Sequence, residues 1–180
     1  MDSSIRPDHT LEAFVLADDY SFGIIQSDLH WIWFRVKCSR LKGDFRYTPR
    51  SVFDTFPWPQ QPTQNQIANV ANAAVDLRTI RRQLTEKLKC SLRNLYRMLE
   101  QPGDNPLRDA HARLDIAVRA AYGASEEVDP LSFLLELNLA CAAKEKVGEH
   151  ITGPGLVQVT GDNNEFTTGD CITAESVGKK

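Results

Sequence analysis

The chain has 180 residues, 42% of them hydrophobic and 25% charged, with a net charge of −3. That balance fits a globular protein of one domain or slightly more and gives no global signal for nucleic acid, so any basic function must be local. No apolar run approaches the ~20 residues that cross a bilayer, and the polar start MDSSIRPDHT lacks the apolar core of a secretory signal.

Composition divides the chain into residues 1–60, which mix short β-like runs with an aromatic helix, residues 61–148, which are helical in pattern, and residues 149–180, rich in Gly, Thr, Asp and Asn. In chain order, LEAFVL (11–16) predicts a strand and Asp18-Asp19 a turn. One helix follows, in which Ile24, Ile25, Leu29, Ile32 and Val36 recur at helical spacing and Trp33 and Phe34 add bulk. Gly43-Asp44 marks a turn, FRYT a short strand, and SVFDTF a closing strand with Phe53 or Phe56 packed inward. Pro57-Trp58-Pro59 ends it as a stiff junction, with Trp58 as a packing anchor.

Pro62-Thr63 opens a long helix whose stripe of Ile67, Val70, Ala74, Leu77, Leu84 and Leu88 is close to a heptad rhythm. A shorter helix begins at Ser91-Leu92 and breaks at Pro102-Gly103. Asp104-Asn105-Pro106 then caps a helix that buries Leu107, Ala110, Leu114 and Val118 and stops at Gly123. Glu126-Glu127 mark a loop before a last helix from Pro130 to Val147, whose leucines cover most of its circumference and predict a central position. Few large apolar residues follow, so 149–180 is expected to be a flexible tail. The expected fold class is mainly α with a small β portion (α+β), ending in a bundle-like helical domain.

Charge is concentrated locally. Between His30 and Arg50 stand six bases, Arg35, Lys37, Arg40, Lys42, Arg46 and Arg50, against Asp44 alone, interleaved with Trp31, Trp33, Phe34, Phe45 and Tyr47. Cations beside planar rings suit a phosphate backbone and base edges; the same composition also describes an amphipathic helix with a solvated basic face and aromatic residues in the core. A second basic segment, Arg78 to Arg97, carries seven bases against Glu86 and reads first as a solvated helix face.

No GxGxxG, P-loop, GxSxG or HExxH sequence is present. The four cysteines, Cys38, Cys90, Cys141 and Cys171, form no CxxC pair, so we read them as reduced thiols in a cytoplasmic protein, with no metal site. The four histidines are isolated, and His111 reads as a core or boundary residue.

Four segments together carry a resemblance: ADDYSFGIIQSDLHWIWFRVKCSRLKGDFRYT, SVFDTFPWPQ, SLRNLYRMLEQPGDNPLRDAHARLDIAVRAAYG and DPLSFLLELNLACAAKEKVGE. Over about residues 3–155 the chain resembles the C-terminal part of MmeI-like proteins, class I S-adenosylmethionine-dependent, adenine-specific DNA methyltransferases of restriction–modification type, often fused to an endonuclease. The resemblance implies that residues 1–60 are the last part of a target recognition domain, that 61–148 are the helical C-terminal domain, and that Met1 begins at a position internal to the family, as in a truncated or split gene. The family's S-adenosylmethionine-binding and Asn-Pro-Pro-Tyr type motifs are not in this sequence. The expected cofactor therefore belongs to the parent enzyme, with no catalytic residue here. The expected partners are double-stranded DNA and a methyltransferase catalytic domain in cis or trans, with no membrane. Position and side-chain chemistry pick Lys37, Ser39, Arg40, Lys42, Arg46, Tyr47, Thr48 and Arg50 as the DNA-contacting set. The alternatives are a helical protein-interaction module and the non-functional remnant of a split gene.

Overall fold

The structure, a computed structural model, describes residues 12–14, 16–41, 43–125, 127–156 and 166–171. The elements are α1 (Asp19–Gln26), α2 (Asp28–Lys37), β1 (Ser39–Leu41), β2 (Asp44–Arg46), α3 (Pro49–Val52), α4 (Gln64–Leu88), α5 (Leu92–Arg97), α6 (Pro106–Tyr122) and α7 (Pro130–Lys146), with a 3-10 turn (Met98–Glu100) after α5. The fold is mainly helical, and its β portion among the described residues is one antiparallel hairpin.

The centre is α4. Thr63 starts it with a reciprocal cap: the Thr63 hydroxyl accepts from the Gln66 N–H at 3.3 Å, and the Gln66 side-chain oxygen accepts from the Thr63 N–H at 2.8 Å. The predicted stripe then buries Ile67, Val70, Ala74 and Leu77 against α1 and α6. Asn105 caps α6, its Oδ1 accepting from the Leu107 N–H at 3.0 Å, and Pro106 fits the first turn, where its missing N–H costs nothing. At the α1–α4 crossing, a Cβ added to Gly23 would lie 2.7 Å from Val70 Cγ1 and 3.3 Å from both Ala74 Cβ and Leu114 Cδ1. Glycine lets the two helices and α6 close to this distance.

Tyr20, Ile24, Trp33, Phe56 and Trp58 from the first third meet Ile67, Val70, Leu77, Leu114 and Leu134 in one hydrophobic core. The compositional boundary near residue 60 therefore does not separate two cores. Trp58 is the packing anchor expected of it, almost fully buried against Phe53 and Phe56.

Five expectations change. The helix predicted across Ile24–Val36 is two helices, because Ser27 ends one and caps the next: its hydroxyl donates to the Ile24 carbonyl at 2.7 Å and accepts from the His30 N–H at 3.4 Å. The described residues of LEAFVL (12–14 and 16) are irregular rather than a strand. SVFDTF is not a closing strand. Pro49 begins the short α3 and turns follow it, held from α2 by the Trp33 indole N–H donating to the Val52 carbonyl at 3.1 Å and by the Ser51 hydroxyl donating to the Lys37 carbonyl at 2.9 Å. α7 lies at the edge: it packs against α2 and buries Leu134 and Cys141, while Leu139 is 68% exposed. Leucines on every face leave some exposed when neighbours cover one side.

The described parts of the predicted flexible tail are anchored. Thr152 and Gln60 exchange three hydrogen bonds, and Phe166 is buried in the core. Residues 157–165 and 172–180 of that tail, like Glu126, lie outside the described residues. No helix among the described residues is long and apolar enough to cross a membrane.

Candidate nucleic-acid interface

The hairpin grows directly out of α2. Cys38 ends that helix in extended backbone, β1 leaves it, and β2 returns with Ser39 opposite Arg46, Arg40 opposite Phe45 and Leu41 opposite Asp44. Gly43, just before β2, has φ +94°, where a glycine avoids the steric cost of a Cβ. Lys42 itself lies outside the described residues.

Side chains alternate across a strand, so the predicted set divides between two faces. Ser39 and Arg46 share one face, and Thr48 joins them: its hydroxyl lies 2.8 Å from that of Ser39. Arg40 shares the other with Phe45, its guanidinium 5.0 Å from the centre of that ring. Ser39, Arg40 and Arg46 are exposed, as is Arg50 on α3, whereas Lys37 lies half-buried with its ammonium 4.8 Å from the Trp33 ring. Among the described residues, none of Arg35, Lys37, Arg40, Arg46 and Arg50 makes an ion pair. Exposed cations on two faces of such a ribbon can displace the counterions of a phosphate chain.

Tyr47 supports this ribbon from below. Its ring stacks on Phe34 with centroids 5.5 Å apart and 16° between planes, and its hydroxyl lies 3.1 Å from His30 Nε2. Burial pushes the His30 imidazole down to about 4 and the Tyr47 phenol up to about 12, so both are neutral near pH 7. Phe34 also touches Phe45 and Trp31, giving an aromatic wall whose outermost members, Phe45 and Trp31, are 44% and 55% exposed. Trp31, Phe34, Tyr47 and His30 line one side of a cavity of about 680 Å³; Arg81, Tyr96, His111 and Asp115 line the other.

The predicted set omits Trp31 and Arg35, both exposed one helical turn apart on α2. The signal was available: Leu29 and Trp33 in the core rotate positions 31 and 35 to the opposite face.

The second basic segment behaves differently. Arg78 is paired with the buried Asp19, Arg82 with Asp170 at 2.6 Å, and Arg81 donates to Gln26 Oε1 at 2.9 Å and to the Tyr96 hydroxyl at 2.6 Å. The Tyr96 hydroxyl lies 2.8 Å from His111 Nε2, which makes His111 the boundary residue expected of it. Among the described residues no group of three or more His, Cys, Asp or Glu side chains is placed to hold a metal ion, and all four cysteines are free thiols.

Comparison with known proteins converges on one group. Residues 1–60 match the family model of the MmeI target recognition domain. DNA methyltransferase A of Bacillus subtilis (strain 168) is 32% identical over 126 residues, which span 67% of this chain and 13% of that protein. The type IIL restriction–modification enzyme MmeI, solved in complex with DNA, superposes with a TM-score of 0.61 at 30% identity, covering 71% of this chain and 17% of that one. The resemblance to MmeI-like restriction–modification enzymes thus holds over most of this chain, which spans a small fraction of each relative.

Proposed function

We propose that this chain is the DNA-recognition and helical segment of an MmeI-like restriction–modification methyltransferase. The observation that carries this reading is the hairpin Ser39–Arg46. It lies within the part that matches the target recognition domain, outside the core, with Arg40 and Arg46 exposed on opposite faces and unpaired among the described residues. In this reading the hairpin and α3 approach double-stranded DNA. Arg46, Ser39 and Thr48 meet one side of a groove or its phosphates, and Arg40 and Arg50 fix the register. Tyr47 holds the ribbon against α2 rather than reading a base.

Catalysis lies elsewhere. Methylating a base in a duplex requires the base to be extruded into a pocket, which we assign, together with S-adenosylmethionine, to a methyltransferase domain in cis or trans. A cytoplasmic setting with free thiols follows from the same reading.

Fluorescence anisotropy with a labelled duplex at 50 mM salt tests it. The chain should bind with affinity that falls steeply as salt rises, and changing Arg40, Arg46 and Arg50 together to alanine should lower the salt slope by roughly 2–3. Undetectable binding at low salt would sink the reading.

A second reading, a protein-interaction module, draws on α7. Its outward Leu139 and the exposed Val147 that follows suit docking of the catalytic domain. Leu139→Glu should then weaken co-purification with that domain while leaving DNA affinity unchanged.

A further inference from the structure

Beside the hairpin lies a second feature that the DNA-recognition reading does not use. Arg78, Arg81 and Arg82 stand at spacings i, i+3 and i+4 on α4, so their side chains rise from one face. Together with Leu92 and Asp170 they line a cavity of about 400 Å³.

The three guanidiniums are held in different ways. Arg78 is fixed by Asp19, which is buried at the start of α1, and by Phe22, whose ring centre is 4.8 Å away. Arg81 is tied to neutral partners. Arg82 is 58% exposed, and its acid, Asp170, is 42% exposed and comes from the short segment 166–171. Asp170 fills the site incompletely. Its Oδ2 accepts from Arg82 at 2.6 Å but lies 3.8 Å from Arg78 Nε, beyond hydrogen-bonding reach, and the Nε–H groups of Arg78 and Arg81 have no partner among the described residues. A planar carboxylate with one engaged oxygen leaves donors idle that the two charged oxygens of a backbone phosphodiester, set at a tetrahedral angle, would meet.

We infer that Arg78, Arg81 and Arg82 form a phosphate-binding site for the nucleic-acid backbone, and that Asp170 occupies it as an internal stand-in. This rests on the DNA-recognition reading. A backbone phosphate is favoured over a free one by continuity: Arg81 and Leu92 line both this cavity and the larger one walled by Trp31, Phe34 and Tyr47, so the two form one path along the surface from the hairpin to α4. The Arg82–Asp170 pair is exposed, and such pairs are weak and screened by salt, so a polyanion can displace the carboxylate.

The test compares duplex binding by the full chain, Asp170→Asn, Arg82→Ala and the double variant across a salt series, with Arg40→Ala and Arg46→Ala as hairpin controls. Asp170→Asn should tighten binding roughly two- to fivefold and steepen the salt slope by about 1, and Arg82→Ala in the same chain should remove both effects. If the hairpin variants weaken binding while Asp170→Asn changes nothing, the site is refuted and the DNA-recognition reading stands. If no form binds duplex, both fall for nucleic acid. In a parallel titration, inorganic phosphate should raise the melting temperature of Asp170→Asn no more than that of Arg82→Ala; stabilisation of Asp170→Asn alone, without duplex binding, would reassign the site to free phosphate and overturn the backbone claim.

Discussion

Single atoms decide the tightest places in this molecule. Alanine is the better helix former by about 1 kcal/mol, yet Gly23→Ala would set a methyl 2.7 Å from Val70 Cγ1. We expect a net loss of roughly 1–3 kcal/mol in urea denaturation; a more stable variant would contradict the packing described. Asp115 makes a second case. Burial chiefly, and then the nearby Asp28 carboxylate, push its carboxyl up to about 6, while it accepts from the Asp28 N–H at 2.9 Å. The unfolded chain, with the ordinary value near 3.8, ionises first. At pH 7 the native state therefore carries a disfavoured charge, relieved as pH falls through 6 towards 4, where the native state binds the proton more readily. Asp115→Asn should be more stable than the parent at pH 7, by on the order of 1–3 kcal/mol, and the advantage should shrink to a small remainder near pH 4 and vanish as the pH falls further below the unfolded value. An advantage equal at both pH values would rule this out. Neither effect was legible in the sequence, where Gly23 is a neutral helix position and Asp115 a polar residue on an amphipathic helix.

Among the elements, long periodic segments were legible and short ones were not. Thr63, Asn105-Pro106, Asp129 and Gly123 stand at the predicted helix ends because caps are local chemistry. Ser27 was missed because apolar spacing runs on through it: Ile24 and Leu29 both reach the core, though on separate helices. Ser27→Ala removes both the bond to the Ile24 carbonyl and the cap of α2, and should cost about 1 kcal/mol with helical content unchanged; no loss of stability would show that the break is set elsewhere. SVFDTF misled through its alternation, which a helical turn held by Trp33 overrode. The turn expected at Gly43-Asp44 is found at Gly43, because tolerance of positive φ is a property of glycine itself, while Asp44 already begins β2.

For the molecule as a whole, a net charge of −3 conceals, among the described residues, hairpin bases with no ion pair, Arg40 and Arg46, and paired ones on α4, Arg78 and Arg82. Composition could count these charges but not their partners, since Asp19 lies 59 residues from Arg78 and Asp170 lies 88 from Arg82. The shared core yields a further expectation. Far-UV circular dichroism and tryptophan fluorescence should report one coincident thermal transition, and Trp58→Ala should lower it for both probes together by about 3–5 kcal/mol of stability. Two separated transitions would mean that residues 1–60 and the helical part fold independently.

The exposure of Ser39, Arg40, Phe45 and Arg46 on the hairpin has a bearing on how such a molecule evolves. Trp33, Val52, Phe56 and Trp58, which anchor the flanking chain, are buried, whereas Arg40, Phe45 and Arg46 are exposed. Substitutions on the ribbon leave the scaffold's stability almost untouched, so lineages can drift through many ribbon sequences while the same helices carry them. If the ribbon meets DNA as proposed, new preferences arise by exchanging exposed residues such as Ser39, Arg40, Phe45 and Arg46 rather than by refolding a domain.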